Sequence, residues 1–264
     1  MGPRWGILPP VRLPPAAAVL VAFHLPSPQL SPPDPIQRAL NLISRPCCPL
    51  CRRARASTDG SRSEQHHWPC APCQERLDLR FPCLHESAPL PWWAVGSYEG
   101  PLRQLLLSLR KHADGATSRD AIAGLLQQMS LGLPLWKQPP LLVAIPSWKR
   151  RGNPLPAMIC DELQRLLGCR SRALLERSRP TLGQHHLGRA LRLANQAGAF
   201  RCSQARPVQS GPRQPVLLID DILTTGATAC AAAAALEESG WRVAGLLCLA
   251  RTPALGGDLR SAGR

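Results

Sequence analysis

The chain has 264 residues, of which 44% are hydrophobic and 19% charged, and its formal net charge is +15. This apolar fraction excludes a wholly disordered chain. The length suits one domain of ordinary size together with a smaller module. No membrane span is expected, because the most apolar early stretch, Ala16 to Leu25, has about 10 residues and a bilayer crossing needs about 20.

The positive charge favours a nucleic-acid partner, since a strongly basic surface attracts phosphates without reading a base sequence. A second explanation competes with it. Arginine supplies 29 of the 32 basic residues, and the chain is rich in Ala, Pro, Leu and Gly. That usage is typical of a genome rich in G and C, so the charge alone leaves the partner open.

The eleven cysteines indicate a reducing compartment and a metal site. Their number is odd, and four of them form two Cys-x-x-Cys pairs with 18 residues between the pairs: Cys48, Cys51, Cys70 and Cys73. Four thiolates at this spacing can surround one zinc ion tetrahedrally, with no position left for water. The pattern therefore predicts structural zinc in a cytoplasmic protein, and Cys83 is expected to be buried and not a ligand.

Composition divides the chain into four parts. Residues 1–34 are a proline-rich tail without periodicity, 35–90 form the zinc module, 91–255 form the main domain, and 256–264 form a short C-terminal tail. A short helix is expected to begin at Asp34. The polar, arginine-rich segment Gln184–Ala197 fits either a helix or a mobile loop.

Strands and helices alternate through the main domain. Apolar runs predict strands, and spacings of three and four residues predict helices. The predicted strands are Trp92–Tyr98, Leu141–Ile145, Ser171–Leu175, Val216–Ile219 and Val243–Leu249, and the predicted helices are Leu102–Leu109, Ser118–Met129, Pro154–Leu167 and Ala229–Glu238. This order is typical of an α/β domain with a mostly parallel sheet.

The segment from Val216 to Thr228 carries the most chemistry. A buried strand ends in Asp220 and Asp221, at the edge where open α/β sheets bind ligands. A turn through Thr224 to Thr228 then opens a helix, whose N-terminal N–H groups attract a phosphate. Adjacent carboxylates beside a phosphate need hydroxyls or a metal ion to bind, and a ribose with Mg²⁺ supplies both.

This segment resembles the phosphoribosyl pyrophosphate (PRPP) motif of type I phosphoribosyltransferases: four hydrophobic residues, two acidic residues and Thr-Thr-Gly-x-Thr. The resemblance implies the fold of that family and Mg²⁺ bound with PRPP. It also implies that Asp220 and Asp221 hold the ribose hydroxyls as catalytic residues. The loop that would hold the 5′-phosphate consists of Thr224, Thr225, Gly226, Ala227 and Thr228.

A four-cysteine module ahead of a PRPP motif resembles the ComF family of competence proteins, and residues from Tyr98 to Leu106 and from Arg177 to Gln184 agree with it. One stretch departs: members commonly carry Arg-Gly-aromatic-Asn-Gln, where this chain has Arg151-Gly152-Asn153-Pro154. The basic residues Lys149, Arg150 and Arg151 remain there. They are predicted to bind the diphosphate, and a solvated run of charge is an equal alternative.

The resemblance implies a protein that binds PRPP and acts in DNA uptake and natural transformation. Single-stranded DNA and proteins of the competence machinery are then its expected partners. Two alternatives stay open: an active, Mg²⁺-dependent phosphoribosyltransferase of nucleotide metabolism, and a non-catalytic sensor of PRPP or a nucleotide. No residue pattern identifies an acceptor base, so the sequence does not distinguish an active enzyme from a binding protein.

Overall fold

The structure is a computed structural model that describes residues 47–53, 69–88, 90–113, 115–147, 152–178, 198–206 and 214–253. All of them belong to one compact unit, Pro46–Arg264. The helix predicted from Asp34 and the segment Gln184–Ala197 lie outside the described residues. No helix of the described part has the length and apolarity needed to cross a membrane.

Five helices and nine strands are described. The helices are α1 (Ala71–Arg76), α2 (Gly100–Lys111), α3 (Ala116–Ser130), α4 (Leu155–Leu167) and α5 (Ala227–Glu238). The strands are β1 (Leu79–Glu86), β2 (Trp92–Ser97), β3 (Leu141–Ala144), β4 (Arg170–Ser171), β5 (Leu175–Arg177), β6 (Phe200–Cys202), β7 (Pro215–Ile219), β8 (Ile222–Leu223) and β9 (Arg242–Arg251).

The main sheet has the strand order β1-β2-β9-β7-β3-β4, and β8 adds to β9. Among the described strands of this sheet, β1 and β2 pair antiparallel and the other pairs are parallel. Strands β5 and β6 form a separate two-stranded sheet. The predicted α/β class with a mostly parallel sheet is therefore confirmed.

Helices cover both faces of the main sheet, and β7 shows how the sequence divides between them. All five residues of β7 are buried. Leu217 and Ile219 face the core under α2, α3 and α4, whereas Val216 and Leu218 face the core under α5. Because side chains alternate along a strand, a strand covered on both faces needs a continuous apolar run.

Several predicted boundaries change. The strand predicted over Ser171–Leu175 is two short strands in different sheets, β4 and β5. The short strand β8 directly precedes the turn predicted through Thr224 to Thr228, and α5 begins inside that turn, at Ala227. No local pattern predicted α1 or β1, and the predicted boundary after residue 90 falls between two paired strands, β1 and β2.

Candidate phosphate site and cysteine cluster

The predicted site lies where β7 ends, in the middle of the sheet. Strand β7 pairs in parallel with β3 on one side and with β9 on the other. The carboxyl ends of the three strands therefore meet at one edge, which is the ligand-binding edge of open α/β sheets. Asp220 and Asp221 follow β7 directly, so the sheet delivers both acids to this edge.

The two adjacent acids have different surroundings. Asp220 is half-buried, and its Oδ1 accepts a hydrogen bond of 2.9 Å from the backbone N–H of Asp221. Burial and then the negative charge of Asp221 raise the pKa of Asp220 well above its usual value. Asp221 is only 3% exposed. Asp220 is thus the acid that remains accessible at the edge.

Asp221 is bound by other side chains of the protein. Its Oδ2 accepts hydrogen bonds from Arg110 Nε at 2.6 Å and from Asn153 Nδ2 at 2.7 Å. A second guanidinium nitrogen of Arg110 lies 2.5 Å from the same oxygen. Arg110 comes from the end of α2 and Asn153 from just before α4, so this carboxylate joins three elements.

Arg251, at the end of β9, forms hydrogen bonds with the loop that follows the two acids. The guanidinium of Arg251 donates to the carbonyl oxygens of Leu223, Thr224 and Thr252 and lies 5.6 Å from the centre of the Trp92 ring. In a trans peptide the carbonyl and the following N–H point in opposite directions. Carbonyls turned toward Arg251 therefore turn the N–H groups of Thr224 and Thr225 away from it.

Helix α5 begins at the loop, as the predicted phosphate site requires. Gly226 is its N-cap and has a φ of +79°, a left-handed conformation that side chains with a Cβ disfavour. The backbone N–H of Ala227 reaches Thr225 Oγ1 at 3.4 Å. Thr224, Thr225, Gly226, Ala227 and Thr228 thus form one connection from β8 to the first turn of α5, where the helix dipole is positive.

The next strand along the edge, β3, leads to the predicted diphosphate residues. Lys149, Arg150 and Arg151 lie outside the described residues, and their role stays a prediction. Arg177 is described: its Nε donates to the carbonyl of Pro146 at 3.0 Å, and its guanidinium lies 4.5 Å from the Phe200 ring centre. Burial lowers the pKa of Arg177, and the negative charge of Asp220 opposes that shift.

The four predicted metal ligands come together. One ligand atom from each of Cys48, Cys51, Cys70 and Cys73 lies within 4.8 Å of all the others. Cys51 Sγ and Cys70 Sγ are 3.7 Å apart. Four sulfurs at about 2.3 Å from a tetrahedral zinc are about 3.8 Å from one another, so the cluster fits a metal ion of that size.

Backbone N–H groups support the ionised form of one cluster thiol. The N–H groups of Leu50 and Cys70 lie 3.4 and 3.3 Å from Cys48 Sγ. Burial opposes ionisation of Cys48, but these contacts and one with Cys51 lower its pKa to about 6. Burial and the neighbouring thiols raise the pKa of Cys73. Cys83 is buried apart from the cluster, as predicted.

Curated relatives decide the family. The chain is 31% identical over 225 residues to the DNA utilization protein YhgH of Escherichia coli O6:H1, a match covering 78% of this chain and 90% of that protein. The chain belongs to the ComF family. The family predicted from the order of the cysteine module and the acidic motif is therefore confirmed. A comparison with models of protein families gives no match.

Two further similarities of this ComF protein involve phosphoribosyltransferases. It is 45% identical over 60 residues to the adenine phosphoribosyltransferase of Clavibacter sepedonicus, which is 23% of this chain and 31% of that protein. A solved adenine phosphoribosyltransferase from Leishmania donovani is 14% identical, with a TM-score of 0.37, over 68% of this chain and 94% of the other.

Three residues of the site were not predicted as part of it: Arg110, Asn153 and Arg251. Arg110 and Asp221 are 111 positions apart in the sequence, and Asn153 and Asp221 are 68 apart. The sequence around each of the three shows only a polar residue at the end of a helix, loop or strand, and nothing in it indicates a role in the site. Only the paired strands and packed helices bring them to the acids.

Proposed function

We propose that this ComF protein binds PRPP with Mg²⁺ at the carboxyl edge of β3, β7 and β9. The observation that carries the proposal is the unbroken motif from Val216 to Thr228, which the fold presents as a buried strand, two acids and a helix N-terminus. The ComF family membership and the local identity to an adenine phosphoribosyltransferase support it.

The loop is the part of the site that would take the 5′-phosphate. The N–H groups of residues 224 to 228 and the threonine hydroxyls are donors, and α5 adds its positive end. Gly226 has no Cβ, so the backbone can approach an anion closely. This phosphate lies away from the reacting carbon, and its binding energy would serve to orient the ribose.

The acids are the part that would take the sugar. Carboxylate oxygens accept hydrogen bonds from ribose hydroxyls, and Asp220 is the less buried member of the pair. Mg²⁺ bound with the ligand would neutralise the diphosphate. Lys149, Arg150 and Arg151 follow β3 in sequence, and we propose that they contact the same diphosphate, with Arg177 beside them.

The cysteine cluster is proposed to hold one structural zinc ion. Cys48, Cys51, Cys70 and Cys73 supply four sulfur ligands, the donor set of closed zinc sites. Zinc would tie the turn at Cys48–Cys51 to the start of α1. All eleven cysteines are free of disulfides, which supports a reducing, cytoplasmic location.

A role in the use of DNA is proposed from the family. YhgH is named a DNA utilization protein, and the charge of +15 permits contact with single-stranded DNA. We therefore propose that PRPP binding serves DNA uptake or natural transformation, together with competence proteins. An active transferase with an unidentified acceptor and a PRPP sensor remain alternatives.

Two experiments test the proposal. Calorimetric titration with PRPP and Mg²⁺ should show binding to the wild-type protein and weakened binding to the Asp220→Asn/Asp221→Asn double variant. Asp78→Asn, which changes an exposed acid that directly precedes the edge strand β1 and pairs with Arg80, is the control and should bind as the wild type does. Equal affinity for wild-type protein and double variant would remove the proposed site.

The biological part is tested in a deletion strain. Transformation frequency should fall on deletion and return with the wild-type gene but not with the double variant. Full restoration by the double variant would separate the DNA role from the phosphate site. An unchanged transformation frequency after deletion would instead favour an active transferase or a PRPP sensor.

A further inference from the structure

We infer that the adjacent acids divide their work: Asp220 contacts the sugar, whereas Asp221 is a positioning residue fixed by Arg110 and Asn153. The inference rests on the proposed function and refines it, because the family motif treats the two acids alike. It also assigns roles to two residues that the motif does not contain.

The first reason is that the accepting oxygen of Asp221 is already occupied. Three donor nitrogens, two from Arg110 and one from Asn153, lie 2.5 to 2.7 Å from Oδ2. The side chain of Asp221 is only 4% exposed. A ribose hydroxyl at Oδ2 would have to displace a charge-assisted hydrogen bond, the strongest kind that the carboxylate can accept.

The second reason is that the Asp221 network is fixed at each end. Asn153 Oδ1 accepts the backbone N–H of Leu155 at 3.2 Å, so the start of α4 holds the amide. The carbonyl of Asp221 accepts the N–H groups of Leu249 and Ala250 on β9 at 3.0 and 3.2 Å. The orientation of Asp221 is therefore set by α2, α4 and β9 together.

The third reason is that Asp221 can pass this orientation to Asp220. The N–H of Asp221 donates to Asp220 Oδ1 at 2.9 Å. A fixed peptide at Asp221 thus fixes the rotation of the Asp220 carboxylate. The remaining capacity of the Asp220 carboxylate to accept hydrogen bonds is available to a ligand.

The charges agree with this division. Two neighbouring carboxylates at the end of one strand repel each other, and Arg110 neutralises the buried one. With Arg110 paired to Asp221, any negative charge that the pair presents at the edge is that of Asp220. One charge is enough to accept ribose hydroxyls, and it repels the ligand's phosphates less than two charges would.

The test combines ligand binding with melting of the ligand-free protein. The ligands are PRPP with Mg²⁺ and ribose 5-phosphate, which lacks the diphosphate. Arg110→Gln and Asp221→Asn should weaken both ligands by the same factor, roughly tenfold or more, and lower the melting temperature. The double variant should lose no more affinity than either single variant. Arg110→Lys should restore part of the loss, and Asn153→Ala should weaken both ligands less.

Asp220→Asn should behave differently. It should weaken both ligands without lowering the melting temperature of the ligand-free protein, because Asp220 belongs to no ion pair among the described residues. Arg103→Gln removes the same charge from the same helix, and Arg103 lies over the Tyr98 ring, not on Asp221. This control should keep wild-type affinity.

Three outcomes would overturn the inference. Stronger PRPP binding by Arg110→Gln would mean that Asp221 itself contacts the sugar and that its ion pair with Arg110 competes with that contact. Weaker binding of PRPP alone, with ribose 5-phosphate unchanged, would make Arg110 a diphosphate contact. Equal melting temperatures of the ligand-free Asp220→Asn and Asp221→Asn variants would contradict the different roles of the two acids, even if neither ligand binds. Absence of PRPP binding by the wild-type protein, by contrast, would refute the proposed function. If Asp221→Asn does not fold, Arg110→Lys and Asn153→Ala still give the comparison.

Discussion

Arg251 donates a hydrogen bond from its guanidinium to the main-chain carbonyl of Thr224, the first residue of the phosphate loop. The same group holds the carbonyls of Leu223 and Thr252 and stacks near Trp92. The last strand of the sheet thereby sets the direction of the peptide planes that lead into α5. The conformation of the loop that we propose binds the 5′-phosphate is therefore set by contacts within the ligand-free protein.

Arg251→Met should therefore weaken PRPP binding. The variant keeps a long apolar stem against Trp92 but leaves the carbonyls of Leu223 and Thr224 without their cation, so the loop N–H groups lose their common direction. We expect a loss of about tenfold in affinity, the effect of roughly one hydrogen bond to a charged group. Calorimetry measures it. Arg242→Met changes an exposed arginine at the other end of β9 and should leave affinity unchanged; an equal loss in both variants would contradict the loop's dependence on Arg251.

Gly226→Ala should impair the loop for a different reason. A φ of +79° costs a residue with a Cβ about 1 kcal/mol or more, so the loop would relax away from its binding shape. Gly168 ends α4 with a φ of +63°, and no atom stands within 4 Å of a Cβ added there. Gly168→Ala should cost similar stability without changing PRPP affinity. Melting and calorimetry on both variants separate backbone strain from binding.

Asp220 should make the stability of the ligand-free protein depend on pH. Its pKa is raised in the folded state, so the folded protein takes up the proton more readily than the unfolded chain. The charged form therefore destabilises the folded protein above the folded pKa, and this effect disappears below about pH 4, where both states are protonated.

Asp220→Asn keeps an Oδ1 for the Asp221 N–H and removes the charge. Its melting temperature should exceed that of the wild type at pH 7, and the difference should shrink as the pH falls toward 4. Melting curves from pH 4 to 8 measure this trend. A difference that grows at low pH would contradict the raised pKa.

Cys48→Ser should reduce the zinc content from about one ion per chain and lower the melting temperature. Serine lacks the thiolate that backbone N–H groups stabilise at Cys48. Cys47→Ser is the matched control, because Cys47 is the adjacent, exposed cysteine and lies outside the cluster. Metal analysis of both purified variants decides the ligand set: full zinc in Cys48→Ser with loss in Cys47→Ser would reverse our assignment.

The parts that the sequence predicted are those with local signals. Strand β7 is a continuous apolar run because it is covered on both faces, and the spacing of Leu102, Leu106 and Leu109 marks one buried face of α2. The cysteine ligands have a characteristic spacing. The acidic pair and the phosphate loop form a single contiguous motif.

The parts that escaped prediction depend on contacts between distant segments. Strand β1 is half exposed and carries a proline, so neither alternation nor an apolar run reveals it. The bond from Arg110 to Asp221 joins α2 to β7, and no local pattern marks either residue as a partner. The requirement for glycine at position 245 also depends on a contact between distant segments. A Cβ there would lie 2.4 Å from the carbonyl oxygen of Pro91, and the two come together only when β9 pairs in the sheet.

A crystal structure of the protein with PRPP and Mg²⁺ would test the central claim most directly. We predict the 5′-phosphate within hydrogen-bonding distance of the N–H groups of residues 225–228, and a ribose hydroxyl on Asp220. Arg110 should still be bound to Asp221. PRPP bound elsewhere, or a loop empty of phosphate at saturating ligand, would contradict the account.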